Sequence, residues 1–395
     1  MMKTLIELYD DSPLMNVLGT EMFKPERTVF ICPPEVGRDK HLQKKLREYF
    51  AHRGVKSDLI FETASLLDAA QVQKKLKETV ARYPECAVDV AGGTDAALFA
   101  SGALCAVSDI PAFTYSRKRN TFYNIHNAPF AQDLPCGVKL KVADCFLMAG
   151  GSMRAGRVAD DIDMKKYMPL IDKLFAVYLR YRRDWPRMVS YMQRISQNAA
   201  GTAPRMEVSG PQTVKGDRGR KVTVSEHALR DLEAVGLIHN LEVAGGQVSF
   251  AFEDAVIRKW LRDVGSALEM YTYKACLDTG LFDDVRVSAI VDWNGEKTQQ
   301  DSVTNELDVM ATRGVRPIFI SCKTGTVQTE ALNELAILRD RFGSKVARAA
   351  IVTCERGGKS ALSMRHRAQE LEIDVIDLDD LQRGNIGACL KALTR

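Results

Sequence analysis

Charged residues interrupt apolar runs in the last third of the chain. In the stretch NELDVMATRGVRPIFISCKTG the acidic pair Glu306 and Asp308 ends one apolar strand-like run, and Lys323 ends the next. Between the runs, ATRGVRP, with Gly314 and Pro317, reads as a turn. Alternate residues of a strand share a face. Glu306, Asp308 and Met310 are therefore expected together, and so are Phe319, Ser321 and Lys323. The preceding run VRVSAIVD should set Val285, Val287, Ala289 and Val291 on one face. A hairpin then brings Asp308 to Lys323 at one sheet end. A carboxylate set in an apolar pattern is costly unless it is paired or binds a metal. Asp and Lys on adjacent strands suit metal-assisted phosphodiester hydrolysis. A divalent cation on the carboxylate would polarise the phosphate and acidify a water, and the lysine would orient that water or offset charge. Oxygen ligands favour Mg²⁺ or Mn²⁺ over zinc. Glu269 is the third candidate. It flanks a helical stripe of Ile257, Trp260, Leu261, Val264, Leu268 and Tyr271 and can face the same cleft. The bland alternative is a structural Asp308–Lys323 ion pair with Glu269 solvated.

Two further segments have the composition of ligand loops. YDDSPLMN (9–16) follows the first strand-like run, and AGGTDAAL (91–98) follows the fourth and opens a helix. Gly92 and Gly93 permit close backbone approach. Thr94 can cap the helix, whose N-terminus attracts phosphate. The bland reading is a tight turn with a good cap, with Ser12 and Asn16 as ordinary polar residues. No GxGxxG fingerprint or Walker lysine motif is present, which argues against dinucleotide binding and against an NTPase.

These loops need a scaffold. Residues 1–150 alternate strand-like runs (3–9, 28–33, 58–62, 87–92, 111–116) with amphipathic helical ones, the pattern of a parallel sheet covered on both faces. AFTYSRKRNTFYNI reads as a hairpin closing the sheet edge, with Arg117 and Lys118 in a solvated turn. Residues 165–195 read as helical, and 196–221 as a loop ending in the basic KGDRGRK. Ser225 should cap a helix ending at Gly236, followed by two strands around Gly245–Gly246, a winged-helix-like order. That helix, ALRDLEAVGL, carries two acids and one arginine, a poor match for a phosphate backbone. From about residue 255, helix, three strands, and alternating helix and strand follow.

The whole has 395 residues, net charge +4, 46% hydrophobic and 27% charged side chains. This suits a soluble chain of two or three domains and permits a nucleic-acid partner without arguing for one. No apolar run has membrane-span length, and the start MMKTLIELYDDSP is too acidic for a signal peptide. Nine scattered cysteines with no CxxC pair suggest reduced thiols, no zinc site and a cytoplasmic home.

Glu269 on a helix, then NELDVM with Asp308 and ISCKTG with Lys323, resembles the PD-(D/E)XK nuclease superfamily. That pattern has an acid two residues before the lysine, where this chain has Ser321. The resemblance implies metal held by Asp308, Glu269 and the Cys322 carbonyl, with Glu269, Asp308 and Lys323 catalytic. DSPLMN with the AGGTDAAL loop resembles the CRISPR-associated Rossmann-fold sensor domain, CARF. The combined order is similar to the CRISPR ancillary nuclease family activated by cyclic tetra-adenylate. It implies an α/β chain with a Rossmann-like CARF domain (1–150), a helical linker and winged-helix-like module (151–254), and a C-terminal α/β restriction-endonuclease-like domain (255–395). It also implies a homodimer with DNA or RNA as substrate. Cyclic oligoadenylate would be bound through Asp11, Ser12, Asn16, Gly92, Gly93 and Thr94. Family members carry a lysine or similar residue after GGT, where this chain has Asp95. Two alternatives stand beside this reading: a ligand-responsive DNA-binding regulator with a degenerate nuclease domain, and a restriction- or repair-type nuclease independent of cyclic oligoadenylate.

Overall fold

The computed structural model describes residues 2–154, 163–197, 203–216, 219, 221–293, 304–356 and 359–395. The first sheet is built from β1 (Thr4–Leu8), β2 (Arg27–Cys32), β3 (Asp58–Thr63), β4 (Cys86–Asp89), β5 (Ala112–Ser116), β6 (Thr121–His126) and β7 (Leu134–Pro135), in the order 3-2-1-4-5-6-7. The first five strands pair in parallel, and the β5–β6 hairpin and β7 close one edge antiparallel, as the sequence pattern suggests. Helices α1 (Leu18–Phe23), α2 (Pro34–Arg38), α3 (Lys40–His52), α4 (Ala69–Arg82) and α5 (Asp95–Ser108) cover both faces. Strand order reverses between β1 and β4, so the loops after them meet at the switch point, where such sheets bind ligands.

The chain leaves this sheet through α6 (Val142–Met148), then lends β8 (Ser152–Arg154) to the second sheet as an edge strand. Next come α7 (Met164–Tyr181), α8 (Trp185–Ile195), β9 (Glu207–Pro211), β10 (Thr213–Lys215), β11 (Lys221–Thr223), α9 (Glu226–Ala234), β12 (Ile238–Ala244) and β13 (Gln247–Phe252). Ser225 caps α9 by accepting from the Ala228 amide, and Gly245 and Gly246 take the positive φ that the β12–β13 turn requires. Part of the KGDRGRK loop, residues 217, 218 and 220, lies outside the described residues.

The last part holds α10 (Ala255–Trp260), α11 (Ser266–Asp278), β14 (Asp284–Asp292), β15 (Thr304–Arg313), β16 (Arg316–Lys323), α12 (Thr329–Gly343), β17 (Arg348–Thr353), α13 (Lys359–Glu370), β18 (Ile373–Ile376), α14 (Leu378–Gln382) and α15 (Ile386–Ala392). Its six-stranded sheet runs 18-17-16-15-14-8. The apolar stripe from Ile257 to Tyr271 is carried by two helices, not one. The chain breaks between Leu261 and Gly265, and Asp263 there accepts from the Ser266 hydroxyl at 2.8 Å.

One expectation about faces fails. Val285 and Val287 sit in the core beneath α11, whereas Ala289 and Val291 sit in the core on the other side of the sheet. Ser288 between them takes φ 51, which turns the strand over and ends the simple alternation. Met310 likewise belongs to the opposite core from Val309 and Ala311, which are on the α11 side.

That second core is shared between the two sheets. Phe30 and Phe113 of the first and Phe319 and Ile351 of the second belong to one buried cluster, with α6 between them. Phe146 of α6 meets Phe342 of α12 edge-on at 5.1 Å. Arg53 of α3 donates to the buried Asp144 at 2.9 Å and to Glu21, locking α6 to the first sheet. Val142 donates to Asp284, and the Thr312 hydroxyl to the Leu140 carbonyl, locking the same segment to the second. No helix among the described residues is long and apolar enough to cross a membrane.

Candidate active site

The β15–β16 ladder explains why Asp308 and Lys323 stand where they do. Its pairing runs from Arg313–Arg316 back to Val309–Ile320 and stops there. Beyond that point Asp308 takes over the acceptor's place. Its Oδ2 accepts from the Cys322 amide at 2.6 Å and from the Ser321 hydroxyl at 3.0 Å. In a strand, the amide and carbonyl of one residue point to the same edge. The Cys322 carbonyl therefore opens toward Asp308, while its buried thiol reaches Thr272 of α11. Lys323 Nζ lies 3.8 Å from Asp308 Oδ2, a loose ion pair between partly exposed side chains.

Glu269 enters from the first turn of α11 and faces the same space. Its Oε2 is 3.5 Å from the Ser288 hydroxyl, which the positive φ of Ser288 aims at it. Burial pushes the Glu269 carboxyl up to about 8. Asp308, then Asp263 and Glu306, push the same way, against Lys323. Carboxylates that crowd in a half-buried place without enough counter-charge make a fitting seat for a divalent cation. Glu269, Asp308 and the Cys322 carbonyl offer it hard oxygen ligands. Among the described residues no three acidic, His or Cys side chains form a ready metal cluster.

These acids line a cleft of about 910 Å³. The same lining carries basic side chains: Arg194 from α8, Lys215 at the end of β10, and Lys259 and Arg262 from the α10 region. Gln193 donates to the Arg262 carbonyl at 2.7 Å and ties α8 to that region. Arg258 serves structure, donating to the carbonyls of Arg205 and Ser196. Helix α9 is not part of the cleft lining. Its Asp231 is bound to Arg180 and Tyr181 of α7.

At the switch point of the first sheet, a pocket of about 880 Å³ opens above β1 and β4. Of the residues singled out in the sequence, Asp11, Ser12, Gly93 and Thr94 line it. Asn16 and Gly92 lie beneath. Asn16 clamps the loop by accepting from the Asp10 amide and donating to the Asp10 carbonyl. A Cβ at Gly92 would lie 2.9 Å from the Asp10 Cβ, so only glycine fits there. Asp10, which the sequence reading passed over, joins the two loops by accepting from the Ser12 and Gly93 amides at 2.7 and 3.0 Å. The Ser12 hydroxyl is buried and has no hydrogen-bond partner among the described residues. Thr94 caps α5 by accepting from Ala97. Arg117 and Lys118 lie elsewhere, in a cleft with Arg313 and Arg316.

Residues 257–392 match the family described as Card1-like, endonuclease domain. The C-terminal third is thus similar to Card1-like endonuclease domains. Along the whole chain, protein VC1899 from Vibrio cholerae superposes with a TM-score of 0.72 at 16% identity, covering 100% of this chain and 98% of that one. Can2 from Sulfobacillus thermosulfidooxidans, solved in complex with cyclic tetra-adenylate, gives 0.68 at 17%, covering 98% and 96%. No curated protein matches the chain in sequence. The resemblance to the CRISPR ancillary nucleases is thus borne out, by domain family in the endonuclease part and by fold throughout.

The sequence pointed to the acids of this cleft and, through the basic KGDRGRK loop, to Lys215, but missed Arg194, Lys259 and Arg262. Arg194, Lys215, Lys259 and Arg262 come from three separate segments, and no short spacing announces their convergence. Ser288 gave no signal either, since a serine inside a strand pattern reads as an ordinary half-buried position.

Proposed function

We propose that this protein cuts nucleic acid at the Glu269–Asp308–Lys323 cleft when a cyclic oligoadenylate fills the pocket of the first sheet. The observation that carries the reading is the make-up of the cleft, whose lining combines the carboxylates of Glu269 and Asp308 with Arg194, Lys215, Lys259 and Arg262. A phosphodiester backbone can lie against the cations and present a phosphate to the acids. Asp308, fixed by Ser321 and Cys322, and Glu269 opposite would hold Mg²⁺ or Mn²⁺ together with the Cys322 carbonyl. Bound there, the ion supplies a Lewis acid and lowers the pKa of a water. Lys323 orients that water and offsets charge on the scissile phosphate. Ser288 holds the Glu269 carboxylate.

The fold shared with Can2 supports the activator class, and the unpartnered Ser12 hydroxyl supports the pocket as its seat. A homodimer is part of the reading. Phe99 and Val107 of α5 are 75% and 87% exposed, and Leu67 beside the pocket is 81% exposed, an apolar face that a second copy would cover. Unpaired cysteines among the described residues support a cytoplasmic setting.

The test is cleavage of supercoiled plasmid and of single-stranded RNA with Mn²⁺, with and without cyclic tetra-adenylate. Cleavage should need the activator, and Lys323→Ala should lower the rate by about 10²-fold or more. Equal cleavage without activator would favour the repair-type nuclease. Tight activator binding with no cleavage under any metal would favour the regulator.

A further inference from the structure

The pocket of the first sheet is closed on one side by the endonuclease domain. Helix α12 begins just beyond Lys323 and runs 15 residues, about 22 Å, away from the cleft. Its far end, with Asp340, Ser344 and Lys345, lines the ligand pocket. The contact is direct, since the Leu14 amide of the ligand loop donates to the Ser344 hydroxyl at 3.4 Å. Ser344 takes φ 57, a conformation that side chains other than glycine rarely adopt. The turn is tightly held there, because a Cβ at Gly343 would lie 2.9 Å from the Phe319 ring and closer still to Ala347.

The charges around this pocket do not match an anionic ligand. Asp10, Asp11, Glu35 and Asp340 line it, and Asp10 already occupies the Gly93 amide that a phosphate would seek. Asp95 adds another acid in the first turn of α5. Among the described residues lining the pocket, Lys345 is the one cation, and it enters no ion pair among the described residues.

We propose that Lys345 supplies the cationic contact for a phosphate of the activator, so that the endonuclease domain itself forms part of the activator site. This rests on the reading above that a cyclic oligoadenylate binds here. It gives the switch a physical source. The contact exists only while the 344–346 turn sits against the ligand loop, so the ligand binds that arrangement of the two sheets better than any other. Such a difference in affinity is what a ligand needs in order to shift an equilibrium. Helix α12 runs from this turn back to the loop 324–328 that follows Lys323.

The experiment is calorimetric titration of cyclic tetra-adenylate into the full chain, as wild type, Lys345→Ala and Lys345→Arg, at several salt concentrations. Lys345 is exposed, so its replacement leaves the fold intact. Lys345→Ala should weaken binding roughly ten-fold, the loss of one charged hydrogen bond. It should also flatten the dependence of affinity on salt, and Lys345→Arg should restore most of both. Binding by Lys345→Ala within two-fold of wild type, with an unchanged salt dependence, would overturn the proposal alone. No binding to the wild-type chain would overturn the activator reading and the proposal with it.

Discussion

Ser321 stands where the nuclease pattern has an acid, and its hydroxyl has a defined task. It is one of two donors that fix Asp308 Oδ2, the other being the Cys322 amide. A neutral donor there limits the number of carboxylates that crowd the cleft. Ser321→Ala removes one hydrogen bond, worth about 1 kcal/mol, and should lower kcat about five-fold while leaving the melting temperature near wild type. Steady-state cleavage rates check this. A second residue pair lies under the ligand loops. Glu7 and Asp89 face each other across β1 and β4, and a Cβ on Gly19 would come within 2.7 Å of both carboxylates. Burial raises both carboxyls, Asp89 to about 7, and the charge of Asp89 raises Glu7 further. The folded chain therefore holds more protons than the unfolded chain as pH rises from the ordinary carboxylate range toward 7, and stability falls across that window. Asp89→Asn should remove much of that fall and raise the melting temperature near pH 8 by about 2–4 °C, read from thermal melts across pH. Asp308 and Lys323 were legible in the sequence because charge in an apolar strand is conspicuous. The Glu7–Asp89 pair was not, although each acid also interrupts an apolar run, because nothing in the sequence shows that β1 and β4 pair in the register that sets the two side by side.

At the scale of elements, the parallel sheet of the first part was readable from alternating strand and helix patterns, and the β15–β16 hairpin from its Gly314 turn. Two breaks in regularity were not. The stop between α10 and α11 is set by Asp263 and Gly265, whereas the apolar stripe runs on across it. The reversal at Ser288 is set by a backbone angle that residue type does not encode. Both breaks lie beside the cleft, where regular structure yields to the placement of Glu269. Helix α5 shows a different mismatch, since it is apolar on its outer face as well as its inner one. Phe99→Glu should convert a dimer to a monomer in size-exclusion chromatography with light scattering. It should weaken activator binding in the same variant, because Phe99 lies on the helix that Thr94 caps.

At the scale of the molecule, the feature that matters is the core shared by the two sheets. It was invisible in the sequence, since buried residues 300 positions apart carry no mark of their meeting. It makes the molecule stiff between the ligand pocket and the cleft, so movement of one sheet cannot be absorbed by a slack tether. It also bears on inheritance. The segment from Leu140 to Met148 is packed against both sheets at once through Arg53, Asp284 and Phe342. A recombination that brought in a new sensor without this segment and its partner surface would leave apolar faces of both halves in water. The two sheets can therefore be exchanged only together with this segment and its partner surface, as one packed unit.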